Sequence, residues 1–539
     1  MKNRRYVLFG SLIIVTLSMV FFSFKVIRAL DSRADIFMKT KIFTEILMHV
    51  SNEFVDPIDA NELLDKAIYS LIQELDPHSN YVPAEEYVDM TDRMLGFQGI
   101  GIQFRMMDEK ITVMRVLSNG PSERAGLKLG DRITHIDGKN VIGAIQEDVP
   151  PMLKNNPGTR VTVTVERPGV NDPFDVVITR GQAFVESIKY YYMIDEVTGY
   201  IFIETFSSTT SAELAVILRK LEGMGMQRLV LDLRSNVGGL LTEAIRVSDN
   251  FLTGNNLIVK TKGRNPVANE EHNATSQRTD VDYPVLVLIN EQSASASEIV
   301  AGALQDWDRA IVVGKTSFGK GLVQTQIQFE DKSALILTIG RWYTPLGRLI
   351  QKEYSDLSRQ EYRMQAFNDS LNRARETDAS RPTFTTPKGR TVYGGGGITP
   401  DFEVESNHVI NPNIIGLTPF VNRLILDNRE DDPFFRYAQE YALENKDKWA
   451  NVEEFLNDYK FEGSEITNYF TYLKTENFNF NENGMDEPST EIVEWYLQWH
   501  IAEFLWGDEG KIKAAVTDYT ALQESLKYLQ QAEDLVKSN

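Results

Sequence analysis

Between about Gly199 and Phe329 the chain alternates short, wholly apolar runs with segments of helical spacing. Tyr200 to Ile203, Leu229 to Leu233, Val285 to Ile289 and Ile311 to Val313 read as strands. Thr210 to Glu222, Leu240 to Phe251 and Ser297 to Gln305 read as helices. A strand such as Val285-Leu286-Val287-Leu288-Ile289 has no polar face. It must therefore be covered on both sides, and strand–helix alternation covers it by packing layers against a mostly parallel sheet. This region sets the fold class as α/β.

Upstream the period changes to that of half-buried strands. Ile100 to Met106, Ile111 to Val116, Arg132 to Ile136 and Arg160 to Glu166 are separated by turn signals at Ser118-Asn119-Gly120-Pro121, Asp137-Gly138 and Asn156-Pro157-Gly158. This pattern predicts a small β-rich domain. Before it, Asp35 to Leu75 reads as helical and ends at Leu75-Asp76-Pro77-His78-Ser79, where proline and short polar residues break a helix. Beyond about Asn411 the chain becomes acidic and rich in aromatic residues at helical spacing (Ile492, Trp495, Tyr496, Trp499), which reads as a helical appendage with an acidic surface.

Composition removes whole classes of function. The 539 residues carry a formal net charge of -21, opposite to the basic face a nucleic-acid partner requires. With no cysteine there are no disulfides, thiolate metal sites or cysteine nucleophiles. The six histidines are scattered, so an H-E-x-x-H zinc helix is absent, and no metal or cofactor is expected.

Lys2, Arg4 and Arg5 precede an uncharged run from Tyr6 to Phe24. At 1.5 Å per residue that run spans roughly 28 Å, enough to cross a hydrocarbon core. Lys25 and Arg28 occupy the place where a small-residue cleavage site would lie, which favours a retained anchor over a cleaved signal peptide. The basic residues in front place the remainder outside the cytoplasmic membrane.

Three loops carry candidate chemistry. Asn290-Glu291-Gln292-Ser293-Ala294-Ser295-Ala296-Ser297-Glu298 follows a buried strand and opens a helix, whose free amides suit an oxyanion. By itself it also reads as an ordinary serine-rich cap. Gly314-Lys315-Thr316-Ser317-Phe318-Gly319-Lys320-Gly321 follows the next strand, and one strand–helix–strand unit brings both loops to the same sheet edge. A lysine amine serves as base for a serine hydroxyl if its pKa falls from about 10.4 toward 7. A phosphate-binding loop is the rival reading, but Gly321 stands where a Ser or Thr should follow the lysine. The third loop, Leu231-Asp232-Leu233-Arg234-Ser235-Asn236-Val237-Gly238-Gly239, runs from a strand into a Gly-Gly turn.

Together these loops resemble those of the C-terminal processing peptidases, or tail-specific proteases, a family of Ser-Lys serine endopeptidases. The resemblance runs from about Asp35 to Asp401. It includes Gly99-Ile100-Gly101-Ile102, Phe318-Gly319-Lys320-Gly321-Leu322-Val323-Gln324, Tyr343-Thr344-Pro345-Leu346-Gly347-Arg348 and Gly396-Gly397-Ile398-Thr399-Pro400-Asp401. It implies an α/β crotonase-like (ClpP/crotonase) protease core, with a PDZ domain inserted ahead of it and helical N- and C-terminal regions. The corresponding division is 1–30 anchor, 31–95 helical region, 96–185 PDZ domain, 186–410 protease core and 411–539 acidic helical domain.

Carried over by motif, Ser295 is the nucleophile, Lys320 (not Lys315) the general base and Gln324 the residue orienting it. Ala296 and either Gly238 or Gly239 supply the oxyanion amides, and Ser293 and Ser297 fill turn and cap roles. Gly99, Ile100, Gly101 and Ile102 form the loop that holds a chain-terminal carboxylate. The implied partners are unfolded or tagged proteins held by their C-termini, on the periplasmic side of the inner membrane. The tail is left to dock an adaptor, mediate oligomerisation or gate the site. Two rival functions are a non-catalytic PDZ adaptor and a crotonase-type acyl-CoA enzyme.

Overall fold

The computed structural model describes residues 35–275, 282–355, 381–404, 418–428, 431–481, 484–515 and 519–537, with the isolated positions 357, 359, 361 and 362. The apolar run from Tyr6 to Phe24 lies outside the described residues. Among the described residues no helix is long and apolar enough to cross a membrane.

Residues up to Tyr81 form one compact unit. The segment expected to be helical holds two helices, over 35–53 and Ala60–Gln73. Pro57 lies in the break, lacking the amide a continuous helix needs. Asp59 caps the second helix by accepting from the amides of Asn61 and Glu62. The Asp76 carboxylate accepts from the amides of His78 and Ser79, which gives the turn after this helix its shape.

The second unit begins at Val82. A helix over Ala84–Leu95 leads into the β-rich region. There Ile102–Met107, Lys110–Val116, Arg132–Ile136, Arg160–Glu166 and Phe174–Thr179 pair antiparallel in that order. Val161, Val163 and Val165 alternate inward against Ile111, Val113 and Ile133, while Thr162 and Thr164 face outward.

The α/β region forms a six-stranded sheet in the order Ile188–Met193, Thr198–Ile203, Arg228–Asp232, Val285–Ile289, Ile311–Gly314, Phe402–Glu403. The first pair is antiparallel and the others parallel. The two-residue period sends Ile201, Ile203, Leu229, Leu231, Val285, Val287 and Ile289 to one face, under the helices Thr210–Gly223, Leu241–Asp249 and Ala296–Asp306. It sends Tyr200, Phe202, Val230, Leu286 and Leu288 to the other. That second face is covered by Leu522, Leu529 and Ala532, from helices Tyr519–Leu526 and Leu529–Lys537. Both faces are thus apolar because both are covered.

After the sheet a hairpin of Leu322–Gln328 and Ala334–Tyr343 projects, and the latter strand also pairs antiparallel with Leu257–Gly263. From Pro419 the described chain is helical, around an aromatic core that includes Phe434, Phe455, Phe461, Tyr469 and Tyr496. The helix Pro433–Glu444 reaches the β-rich region through Arg436 to Asp108, and Asp432 at its start pairs with Arg105 at 3.1 Å.

Candidate active site

The parallel strands Val285–Ile289 and Ile311–Gly314 lie side by side, so the loops that leave their C-terminal ends emerge together. In the first loop Ser293 Oγ donates to the Leu233 carbonyl at 2.8 Å and accepts from the Asn290 amide at 2.9 Å, closing the turn. Ser297 Oγ donates to the Asn236 carbonyl at 2.8 Å, tying the start of the helix to the glycine turn rather than capping it. Ser295 sits between them, half-buried, with φ 53° and ψ -110°. A non-glycine residue held in this left-handed region costs about 1–3 kcal/mol, and such strain gathers at functional sites.

In the second loop, the Phe318 amide donates to the Ser293 carbonyl at 2.9 Å, and the Ser317 amide to that of Ile398 at 3.0 Å. Gly319, at φ 91°, has its Cα against Gly397 and Lys352, where a Cβ would stand 3.0 Å from each. Trp342 Nε1 donates to the Lys320 carbonyl at 3.0 Å. Lys320 Nζ donates to Gln324 Oε1 at 2.8 Å, so the expected pairing of these side chains is present. Gln324 lies in the strand Leu322–Gln328 beside a register shift, and Lys320 just precedes that strand.

Glu298 joins the two loops. It is fully buried, one helical turn past Ser295. Its Oε2 accepts from the Ser295 amide at 2.8 Å and from the Lys320 amide at 2.9 Å. Its Oε1 accepts from Ser317 Oγ at 2.5 Å and from the Gly319 amide at 2.7 Å. A single oxygen thus holds the backbone nitrogens of Ser295 and Lys320 no farther apart than two hydrogen bonds laid end to end. Burial pushes the Glu298 carboxyl above its usual range, and the bonds from Ser317, Lys320, Gly319 and Ser295 pull the other way. Glu298 is not among the site residues expected from the sequence. The signal was present: a serine followed three residues later by glutamate at a helix start is the capping-box pattern.

Gly238 abuts the first loop. A Cβ there would stand 2.9 Å from Ser295 Cβ and 3.0 Å from the Ala296 nitrogen, so only glycine fits. The Ala296 amide opens the helix and belongs to the first turn, which has no internal acceptor. The Gly238 amide donates to Asn236 Oδ1 at 2.9 Å. The structure therefore brings together Ser295, Ala296, Lys320, Gln324 and the Gly238-Gly239 turn.

Gly99, Ile100, Gly101 and Ile102 lie elsewhere, at the start of the first long β-domain strand. Gly101 has φ 76°, and the Gly101 carbonyl accepts from Leu117. The side chains of Ile100 and Ile102 point into the β-domain core, which leaves the backbone as what this segment offers a ligand.

Comparison with known proteins gives the class. The family model described as Peptidase family S41 matches residues 197–356, and that of the PDZ domain matches residues 98–178. A carboxy-terminal-processing protease of Bartonella bacilliformis is 38% identical over 314 residues, covering 57% of this chain and 72% of that protein. The carboxy-terminal processing protease CtpA of Bacillus subtilis is 34% identical over 306 residues, covering 56% and 65%. Among solved structures, a photosystem II D1 C-terminal processing protease is 27% identical, covering 57% of this chain and 83% of its own, at a TM-score of 0.33.

A serine-type peptidase with a PDZ domain is thus the class of protein defined here. Within that class, the chain belongs to the carboxy-terminal processing proteases of peptidase family S41.

Proposed function

We propose that the protein is an endopeptidase working through a Ser295–Lys320 dyad. The observation that carries this reading is the shared Glu298 oxygen, which keeps the serine and lysine backbones adjacent, while Gln324 directs the lysine amine. In the proposed reaction Lys320, uncharged, takes the Ser295 Oγ proton as that oxygen bonds to the scissile carbonyl carbon. Backbone amides at Ala296 and the Gly238-Gly239 turn hold the oxyanion. Lys320 returns the proton to the leaving amine, giving an acyl-enzyme. Water, deprotonated by Lys320, then cleaves the ester and regenerates Ser295.

The core in this reading is crotonase-like, and the division is 1–30 anchor, 31–95 helical region, 96–185 PDZ domain, 186–410 protease core and 411–539 helical domain. The basic residues ahead of the 6–24 run support a tethered enzyme on the periplasmic side of the inner membrane. The glycine-rich 99–102 segment and the strand Ile102–Met107 suit capture of substrate C-termini by strand addition. The helical domain is assigned to docking an adaptor or a second copy.

The test is cleavage of an unfolded protein with an apolar C-terminus by the full chain and by Ser295→Ala and Lys320→Ala. Loss of at least a thousandfold in both variants is expected, the order seen when one member of such a unit is removed. Equal turnover in all three would overturn the dyad and leave a peptide-binding adaptor. Acyl transfer to coenzyme A by the wild type would instead favour the acyl-CoA reading.

A further inference from the structure

We infer that Asn236 is a positioning residue that shapes the oxyanion-holding turn and leaves Gly239, rather than Gly238, to supply its second amide. The inference rests on the reading of Ser295 as nucleophile. Asn236 is fully buried, and each of its polar groups is engaged. Oδ1 accepts from the Gly238 amide at 2.9 Å, the two-residue reach of an Asx turn. Nδ2 donates to the Ile203 carbonyl at 2.8 Å, at the end of the strand Thr198–Ile203. Its backbone carbonyl accepts from the Ala294 amide at 3.0 Å and from Ser297 Oγ at 2.8 Å, on either side of Ser295. One residue thus joins a core strand, the glycine turn and the nucleophile loop.

The direction of the next amide follows from peptide planarity. The Gly238 carbonyl accepts from the Phe206 amide at 3.0 Å and from Thr205 Oγ1 at 3.1 Å, so it points toward that segment. In a trans peptide the following N–H points the opposite way, and no cis bond occurs among the described residues. The Gly239 N–H is therefore aimed away from Thr205 and Phe206, and it meets no acceptor among the described residues. It stands on the same turn as Gly238, whose Cα lies against Ser295 and the Ala296 nitrogen. Gly239 cannot bear a side chain, because a Cβ would fall 2.2 Å from the Phe206 carbonyl oxygen. Asn236 thus takes the Gly238 amide out of use and sets the plane that presents the next one.

The experiment uses the full-length protein, a peptide aldehyde and the matching peptide alcohol. The aldehyde adds to a serine hydroxyl and places an oxyanion in the hole; the alcohol only occupies the groove. Asn236→Ala is expected to lower kcat by about 10²–10³, as loss of an oxyanion donor does, with KM within about threefold. The preference for aldehyde over alcohol should fall by a similar factor. Asn236→Asp keeps an acceptor for the Gly238 amide but sets a second oxygen against the Ile203 carbonyl in place of the donated bond, so a variant that folds should retain that preference to within about tenfold. A folded Asn236→Ala with wild-type kcat, or with equal losses for both ligands, overturns the inference. If the alanine variant does not fold, Asn236→Asp decides the matter, and a folded aspartate variant without the preference overturns it. Ser295→Ala is run alongside and should abolish the preference. If it does not, the nucleophile assignment has failed rather than the role of Asn236.

Discussion

In the proposed dyad, Gln324 and Glu298 are the single side chains that would set the chemistry. Gln324 offers Lys320 a neutral acceptor at 2.8 Å. A carboxylate in its place would favour the charged ammonium, which cannot take a proton. Gln324→Glu should therefore move the acid limb of the pH–rate profile upward by at least about one unit; an unmoved limb would separate Gln324 from the base. The Glu298 carboxyl, raised by burial, has a definite sign in its effect on stability. Its folded pKa exceeds its unfolded value, so its contribution is complete below the ordinary glutamate range and is lost as pH rises through the raised value. The melting temperature of wild type minus that of Glu298→Gln should consequently increase on mild acidification. Glu298→Gln should also lose activity, because an amide NH2 would face one pair of the donors now bound by the carboxylate.

Periodicity located most elements because it reports local burial. Val285 to Ile289 is a strand over those very residues, and the expected Ser297–Gln305 helix is Ala296–Asp306. The helix Ala84–Leu95 falls in the 31–95 region expected to be helical, but its bounds were not legible, since no side-chain cap closes its start and none of its residues is fully buried. The hairpin Leu322–Gln328 and Ala334–Tyr343 also escaped, since its turn lacks an Asn-Gly signal and has Lys332 at φ 70° instead. The site was legible as motifs but not as connections. Nothing local tells that Glu298 reaches Lys320 or that Asn236 reaches Ile203, because both bonds join segments far apart in sequence.

A similar long-range link, at the other end of the Ala296–Asp306 helix, makes a prediction about elements. Asp306 pairs with Arg348 at 2.6 Å, both wholly buried, and Asp306 also accepts from the Leu346 amide at 2.9 Å. Asp306→Ala strands a buried guanidinium and should cost about 3–5 kcal/mol in chemical denaturation. Adding Arg348→Met should restore part of that loss; strictly additive losses would show that the pair is not coupled.

Across the molecule, the helices Tyr519–Leu526 and Leu529–Lys537 cover the apolar face of a sheet whose first strand begins more than three hundred residues earlier. Leu529→Ala should destabilise the protease core by about 2–5 kcal/mol, read as earlier melting of the sheet. An unchanged melting point would mean that this face is stable uncovered. At the β-domain, Arg436→Ala removes a side chain that binds both Asp108 and Asp431. It should speed amide exchange in the β-domain hairpin near Asp108 while the core sheet stays protected, because the lost contacts are confined to that junction.

The double grip of Glu298 Oε2 has a further consequence. If Ser295 and Lys320 act as proposed, two loops hung from one atom stay aligned while both bonds hold, and losing either bond displaces one partner from the other. Under that proposal a regulator that breaks either bond would act as a switch on the pair, its dose changing how many molecules work rather than how hard each one works. Single-molecule turnover traces should accordingly alternate between silence and one fixed tempo.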